Sequence, residues 1–456
     1  SGGLVGSEMC IRDRIKIDNA TTETVNATAI FNIEGTYDQI TFLYNSSGVS
    51  DLGDENISID GALSVIEANT LDALTEGTIT GSISASESVS SLIELTGNNA
   101  YGITISEQDA LSSSVSDLNT INGKTTGVVN LSNVQSITSS ISDLETFANA
   151  IGEGEFINAE DAVSIALTDS TLSLIDLNFA IDTANTLTAE GGEVTTFTLS
   201  SGATINTGDE SAFRTLLTNV ENGQLTITNQ NLIVDSGTLS VATANDLDAI
   251  TEGTVTAEIA TDSTVDSLAT LTGTNEFTIV INELDSSVEA SELTSIDDAT
   301  SVAINADAVV EITGTYSEIV SLYGSEGITG LGDENLNIEG ELSVIEANTI
   351  DALTEGTVTA DIATDSTVDS LVTLTGTNAY TIVISEDDAI GSTASELNII
   401  NEATSLAIDA SAVTALALDE LTNINTLLVA GNDPTQFTED SFSKLSEVSI
   451  FDPAKY

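Results

Sequence analysis

Histidine and tryptophan are absent from this chain of 456 residues, and cysteine and methionine occur once each. Without histidine, the chain has no imidazole for acid–base chemistry near neutral pH or for binding zinc. A single cysteine cannot form an intramolecular disulfide, so cysteine usage gives no information on the redox compartment. No run of 18 or more apolar residues occurs, and the sequence therefore predicts no transmembrane helix.

The only cysteine and the only methionine both lie in the first fourteen residues, SGGLVGSEMCIRDR. Residues 4–14 resemble the translation of a sequencing-library transposase adapter, whose reading frame gives LVGSEMCIRD. A signal peptide is the competing interpretation, but the segment lacks a continuous apolar core and a small-residue cleavage site. We therefore treat residues 1–14 as a non-native tail, and we expect the native sequence to begin near Ile15 as a fragment of a longer chain.

Basic residues are also scarce: 7 lysines and arginines face 73 aspartates and glutamates, which gives a net charge of −66. So few cations cannot displace the counterions of DNA or RNA, which excludes nucleic-acid partners, and anionic membranes are excluded for the same reason. Self-repulsion opposes a compact fold unless salt or divalent cations screen it. Apolar residues nevertheless make up 40% of the chain and recur at regular intervals, so the composition predicts a folded protein.

The chain contains three gapless copies of one block, at residues 63–106, 239–282 and 342–385. The third copy reads LSVIEANTIDALTEGTVTADIATDSTVDSLVTLTGTNAYTIVIS. Self-similarity of this kind is typical of a repeat array.

Each block divides into two smaller units of a helix followed by a strand. Ser343 and Glu346 form a capping-box pattern at the start of the first helix. We expect Gly356 to end this unit in the left-handed C-terminal conformation, and a strand to follow in TVTADI. In the second unit, the three-residue spacing of Val368 and Leu371 predicts a short helix or 3₁₀ turn before the strand YTIVI. In the second copy, the equivalent short helix should be capped by Asp262 or Ser263.

Strand patterns recur every 20 to 30 residues or so, with short helical patterns between most of them. The predicted strands include ENISI, QLTIT and SLAID, which begin at Glu55, Gln224 and Ser405. The fold class predicted is a repeat solenoid of stacked parallel β-strands, each followed by a short helix or 3₁₀ turn, and we expect a right-handed one. An immunoglobulin-like array is the main rival, but it would place strands every 8–12 residues or so.

We expect one continuous solenoid over residues 15–431, with a divergent middle at about 145–238. Residues 432–456 contain both prolines, Pro434 and Pro453, and are expected to form a C-terminal cap or a truncated end.

The spacers between blocks also recur. Residues 26–56 and 305–335 share the pattern G-T-Y-x-x-I followed by L-G-D-E-N. Together with the L-T-G-T-x-x-Y-T-I-x-I-S units and the S-x-L-x-x-I-x-x-x-T repeats, these motifs resemble the large bacterial β-strand-repeat surface proteins of cyanobacteria and other marine bacteria. This resemblance covers most of residues 15–414. It implies an extracellular or cell-surface location, a structural or adhesive role, and no defined catalytic site.

The most specific candidate site is the acidic turn that closes each spacer. Asp54 and Glu55, and in the later copy Asp333 and Glu334, follow a glycine and precede a strand. Clustered carboxylates suit Ca²⁺, which prefers six to eight oxygen ligands. The alternative is a solvated turn that only introduces the strand. No EF-hand spacing is present, and calcium is the only cofactor that the sequence suggests.

Paired carboxylates could also act on glycosides, but 73 acidic residues make coincidental pairs unavoidable, and few aromatics exist to line a sugar groove. We assign no catalytic residue and expect a protein that is not an enzyme. Two alternatives to the structural role stay open: a polysaccharide-binding or polysaccharide-active solenoid, and a calcium-dependent folding module. The partners expected are cell-surface polymers or other surface proteins.

Overall fold

A computed structural model describes residues 22–109, 113–158, 164–188, 197–282 and 287–451. The predictions for residues 1–14 and for Pro453 fall outside these described residues. The chain forms two compact units, one of residues 1–233 with 250–253 and one of residues 234–249 with 254–456.

Most helices of both units are short. In the first unit they are α1 (Tyr37–Tyr44), α2 (Val65–Asp72), α3 (Val89–Leu92), α4 (Val115–Asn122), α5 (Ile141–Gly152), α6 (Leu174–Thr188) and α7 (Glu210–Glu221). In the second unit they are α8 (Val241–Asp248), α9 (Val265–Leu268), α10 (Ala290–Asp298), α11 (Tyr316–Tyr323), α12 (Val344–Asp351), α13 (Val368–Leu371), α14 (Ala394–Glu402) and α15 (Leu421–Ala430), with a 3₁₀ turn at Glu386–Asp388.

The strands are equally short. In the first unit they are β1 (Val25–Asn26), β2 (Asn32–Gly35), β3 (Val49–Ser50), β4 (Asn56–Leu63), β5 (Ile79–Ile83), β6 (Ala100–Thr104), β7 (Ser113–Ser114), β8 (Val129–Asn130), β9 (Ser136–Ser139), β10 (Phe156–Ile157), β11 (Ser164–Leu167), β12 (Thr171–Ser173), β13 (Phe197–Thr198), β14 (Thr204–Thr207) and β15 (Asn231–Val234), whose last residue belongs to the second unit. In the second unit they are β16 (Val255–Glu258), β17 (Glu276–Thr278), β18 (Ser287–Glu289), β19 (Ile304–Asn305), β20 (Glu311–Thr315), β21 (Ile328–Thr329), β22 (Asn335–Leu342), β23 (Val358–Ile362), β24 (Ala379–Thr381), β25 (Ala415–Glu420) and β26 (Glu447–Phe451).

Within each unit, the described strand pairs are parallel. The largest sheet of the first unit has the order β10-β8-β6-β5-β4-β2, and that of the second unit has the order β18-β20-β22-β23-β24. Ile33 pairs with Ile57 and Ile57 with Ile79, so like residues face each other along the ladder. The crossovers between several successive strands contain a short helix, as a parallel pair requires. The predicted alternation of parallel strands and short helices is therefore confirmed.

A shared burial pattern docks the eight- and nine-residue helices onto the strands. The fourth and seventh helical residues face the core, and in most of these helices the first does too, as Val344, Ala347 and Ile350 show in α12. In α1 and α11 the first residue, Tyr37 or Tyr316, is half-buried instead. The predicted capping box is present, since Glu346 N donates to Ser343 Oγ at 3.3 Å and Ser343 N donates to the Glu346 carboxylate at 2.9 Å. Helices this short are marginal in water, so the buried face and the cap together hold them.

Gly356 does not end a helix in the left-handed conformation, and that prediction is wrong. Helix α12 ends at Asp351, and Ala352 caps it with ordinary right-handed geometry. Gly356 instead lies against the backbone of the preceding coil, where a Cβ would overlap the carbonyl oxygen of Glu334. Close approach, rather than a positive φ, requires glycine at this position.

The predicted caps and two of the predicted strands also need correction. The short helices α9 and α13 are capped by Thr264 and Thr367, later in the chain than Asp262 and Ser263. The segment SLAID forms isolated bridges only, such as the one between Ile408 and Phe437.

The segment QLTIT forms no strand, although Leu225 and Ile227 are buried. The amide of Leu225 donates to the carbonyl of Asn219, and that of Thr228 to the side chain of Gln230 at 2.8 Å. Because these nearby acceptors bond the two amides, the amides are not available to pair with a neighbouring strand.

Candidate functional site

The predicted acidic turns separate into one exposed and one buried carboxylate each. Asp54 and Asp333 are exposed to solvent, whereas Glu55 and Glu334 are 0% and 1% exposed. The first pair lies in the first unit and the second pair in the second unit. Each turn leads directly into a long strand, β4 or β22. The buried glutamate is the residue immediately before that strand.

A tyrosine hydroxyl and a glycine amide hold each buried glutamate. In the second unit, Glu334 Oε2 accepts from Tyr323 Oη at 2.7 Å and from Gly332 N at 2.8 Å. In the first unit, Glu55 Oε2 accepts from Tyr44 Oη and Gly53 N, both at 2.8 Å. A buried carboxylate requires such donors, because an unpaired buried charge is costly.

The electrostatics of the tyrosines follow from this contact. Burial is the largest cause that raises the pKa of Tyr323 and Tyr44, and the hydrogen bond to the glutamate raises it further. The neutral phenol is therefore the form that the fold stabilises, and it acts as a donor to the carboxylate.

The glutamate backbone is fixed as firmly as its side chain. The carbonyl of Glu334 accepts from Thr354 Oγ1 at 2.6 Å, and that of Glu55 accepts from Thr75 Oγ1 at 2.7 Å. These threonines belong to the T-E-G stretch of the following coil, whose glycine lies against the same carbonyl. The acidic turn is thus bonded to the stretch that leads into the next strand of the sheet, β5 or β23.

Calcium has only a partial set of oxygens at these turns. Glu55 Oε1 is buried and has no hydrogen-bond partner among the described residues, so it is one oxygen that could accept a ligand. Among the described residues, these turns included, no group of three or more acidic, histidine or cysteine side chains is arranged to hold a metal ion. The Asp54–Glu55 and Asp333–Glu334 pairs therefore supply fewer ligands than Ca²⁺ normally takes.

A second recurring cluster, which sequence reasoning missed, links the first helix of each copied block to the two strands that follow it. In the third copy, Asn378 Nδ2 donates to Asp351 Oδ1 at 2.7 Å, and Asn378 Oδ1 accepts from Val358 N at 2.9 Å. The other oxygen of Asp351 accepts from Thr375 Oγ1 at 2.6 Å. We call this arrangement the asparagine clasp. The first and second copies build it in the same way from Asn99 with Asp72 and from Asn275 with Asp248.

An asparagine at the fifth position of the helices forms another link. Asn348 Nδ2 donates to the carbonyl of Thr373 at 2.8 Å, and Asn398 Nδ2 donates to that of Asn423 at 3.1 Å. Asn69, Asn119 and Asn245 make equivalent bonds to the next coil. The sequence shows an asparagine at the same distance from the start of each of these helices. It does not show the carbonyl that the asparagine bonds, because that carbonyl lies 24 or 25 residues further along the chain.

One open groove lies between α14 and α15. It has a volume of about 640 Å³, and its lining combines amide and hydroxyl side chains, among them Asn398, Asn401 and Asn425, with apolar surface that includes Val429. Glu402 is the one ionisable residue of its lining. Such a surface can hydrogen-bond an uncharged polyhydroxyl ligand.

No described helix has the length and apolar character needed to cross a membrane. Comparisons with protein-family models, with curated proteins and with solved structures found no match.

Proposed function

We propose that this chain is a structural and adhesive repeat segment of a larger bacterial cell-surface protein of the β-strand-repeat type, and that it is not an enzyme. The parallel strands and short helices would continue as one right-handed solenoid, forming a rigid acidic rod outside the cell. Its partners would be cell-surface polymers or other surface proteins.

The observation that carries this proposal is where the polar side chains of the repeats are used. The asparagine clasps, the helix asparagines and the buried glutamates all bond one coil to the next. Side chains committed in this way serve to hold successive repeats together, as a structural segment requires. The acidic residues that remain, such as Asp54 and Asp333, are exposed and give the surface its charge.

Small-angle X-ray scattering of the monomer tests the rod. A compact globule of 456 residues has a radius of gyration of about 23 Å. We expect a larger value and a distance distribution with a long tail. A value near that of the globule, with a symmetric distribution, would show that the coils do not form an extended stack.

The orphaned oxygen of Glu55 favours calcium-dependent folding as a second candidate. Circular dichroism melts in millimolar CaCl₂ and in NaCl of matched ionic strength separate specific binding from screening. A rise in melting temperature with Ca²⁺ alone, abolished in Glu55→Gln, supports a site at this turn. Identical melts in both salts would eliminate it.

The groove between α14 and α15 favours polysaccharide binding as a third candidate. Titration with soluble neutral oligosaccharides, followed through the side-chain amide signals of Asn401 and Asn425, would detect it. Signals that stay unchanged up to millimolar ligand would remove the candidate.

A further inference from the structure

We propose that this chain can be lengthened or shortened only in steps of four coils. A coil is defined here by the polar residue that precedes its strand segment. In the second unit these residues are Glu334, Thr354, Asn378 and Thr404, and we call the segment that they begin the four-coil group. The inference rests on the proposed rod function, because the number of groups would set the length of the rod.

The group recurs with the same residue types in the same order. In the first unit these residues are Glu55, Thr75, Asn99 and Thr125. The end of another group lies in the second unit, where Asn275 and Thr300 take the third and fourth places. Each of these residues bonds the coil before it, so the group repeats as a set of contacts as well as a sequence.

The asparagine coil fixes the order, because its side chain contacts two earlier coils at once. Asn378 accepts from the amide of Val358, in the Thr354 coil, at 2.9 Å. It also donates to Asp351, in the Glu334 coil, at 2.7 Å. A threonine or glutamate in this place has no amide group that both accepts and donates, so a buried backbone amide would lose its acceptor.

The fourth coil contacts its neighbour in another way. Thr404 Oγ1 accepts from the amide of Tyr380 at 3.1 Å and donates to the carbonyl of the same residue at 2.7 Å. The fourth coils of the other two groups make the same pair of bonds. The hydroxyl of Thr354 instead donates to the carbonyl of Glu334 at 2.6 Å. The two threonine coils therefore contact their neighbours through different atoms, which opposes the exchange of one for the other.

Removing residues 275–377 tests the proposal, because it deletes 103 residues, the distance between two copied blocks, entirely within the second unit. The deletion joins Thr274 to Asn378, and the parent also has threonine before Asn378. Asn378 then meets Asp248 and Val255, which Asn275 bonds in the parent at 2.9 and 2.8 Å. The whole clasp is thereby restored across the junction.

The deletion changes the sequence around the junction very little. Residues 251–274, which then precede Asn378, match residues 354–377 except for Glu258 in place of Asp361 and Ala269 in place of Val372. None of these four residues is buried. Both sides of the new contact therefore consist of residues that make such a contact in the parent.

Removing residues 354–377 alone is the matched control, since it deletes one coil and leaves α12 before the next strand. Asn378, Asp351 and Glu334 then each lose a partner, respectively Val358, Thr375 and Thr354. In circular dichroism melts, we expect the four-coil deletion to unfold within about 4 °C of the parent, with unchanged ellipticity per residue. The single-coil deletion should unfold at least about 8 °C lower.

Equal melting temperatures for the two deletions would overturn the proposal, whether both lie near that of the parent or both lie well below it. A four-coil deletion that is less stable than the single-coil deletion would also overturn it. X-ray scattering separates this proposal from the rod. A folded four-coil deletion that is as compact as a globule, like its parent, refutes the rod and keeps the group. An unfolded deletion beside an extended parent refutes the group and keeps the rod.

Discussion

Replacing Asn378 by alanine is the sharpest perturbation of the asparagine clasp. Asn378 is 2% exposed, and its side chain bonds the amide of Val358, the carboxylate of Asp351 and, at 3.2 Å, the hydroxyl of Tyr380. Alanine leaves the Val358 amide buried without an acceptor, which costs about 1–3 kcal/mol. It also removes a charge-assisted bond from Asp351, but this group is half-exposed and keeps its bond to Thr375, so we discount that loss. We expect a total destabilisation of about 3 kcal/mol.

Urea unfolding followed by circular dichroism measures the loss, and hydrogen exchange of the Val358 amide localises it. Asn425→Ala is the control, because the side chain of Asn425 is exposed and forms no hydrogen bond with another described residue, and it should change stability by less than about 0.5 kcal/mol. Asn275→Ala tests the same geometry in the second copy, where Val255 donates to the asparagine at 2.8 Å. If Asn378→Ala stayed within about 0.5 kcal/mol of the parent and Val358 kept its protection, the clasp would not stabilise the fold.

Three further predictions concern the tyrosine hydroxyls and the close-packed glycine. Tyr323→Phe removes the hydroxyl that Glu334 accepts and should cost about 2 kcal/mol in urea unfolding, whereas the half-exposed Tyr316→Phe should cost less than about 0.5 kcal/mol; equal effects would contradict the pairing. Gly356→Ala should lower the free energy of unfolding by about 2 kcal/mol or more, because a Cβ there overlaps the carbonyl oxygen of Glu334. Gly123→Ala, where a Cβ meets only ordinary contacts, should be neutral. A neutral Gly356→Ala would show that the backbones at Gly356 and Glu334 can move apart without cost. Burial raises the pKa of Tyr44, Tyr101, Tyr323 and Tyr380, so the folded state holds protons that the unfolded state releases near pH 10. Stability should therefore be complete below about pH 10 and fall above it, with phenolate absorbance appearing together with loss of circular dichroism; phenolate formation by these four in a folded chain would refute this.

Local signals in the sequence predicted the local structure well. The Ser343 and Glu346 pattern specified a helix start because both partners of a capping box lie within four residues. The alternating TVTADI segment likewise predicted β23, since its buried face is set by a period of two. These features depend on neighbours along the chain, and the sequence contains them in full.

The errors arose where a backbone group found its partner elsewhere. QLTIT has the composition of a strand, but its amides bond Asn219 and Gln230 instead of a neighbouring strand. Gly356 follows a helical segment as a terminating glycine would, but its role is set by Glu334, in the preceding coil. Sequence spacing alone does not distinguish these situations.

The candidate site was located by the sequence, but its contacts were not. Asp54 and Glu55 are adjacent and equally acidic, yet one is exposed and the other is buried beneath Tyr44. Tyrosine and glutamate are separated by eleven residues in both spacers, a constant distance that could have revealed the pair. Which of two neighbouring acids turns inward depends on strand alternation and on the helix that carries the tyrosine.

The acidic residues of this chain therefore have two separate tasks. Glu334 and Asp351 each accept hydrogen bonds from other parts of the chain, and these uncharged donors stabilise the carboxylates. Exposed residues such as Asp333 make no such contribution and instead repel one another. Since lysine and arginine are too few to compensate, the fold gains its cohesion from neutral donors: asparagine amides, threonine and tyrosine hydroxyls, and glycine backbone groups. The contacts of Asn378 with Asp351 and of Tyr323 with Glu334 are of this kind, because a highly acidic chain with few basic residues is held together mainly by uncharged hydrogen-bond donors and apolar contacts.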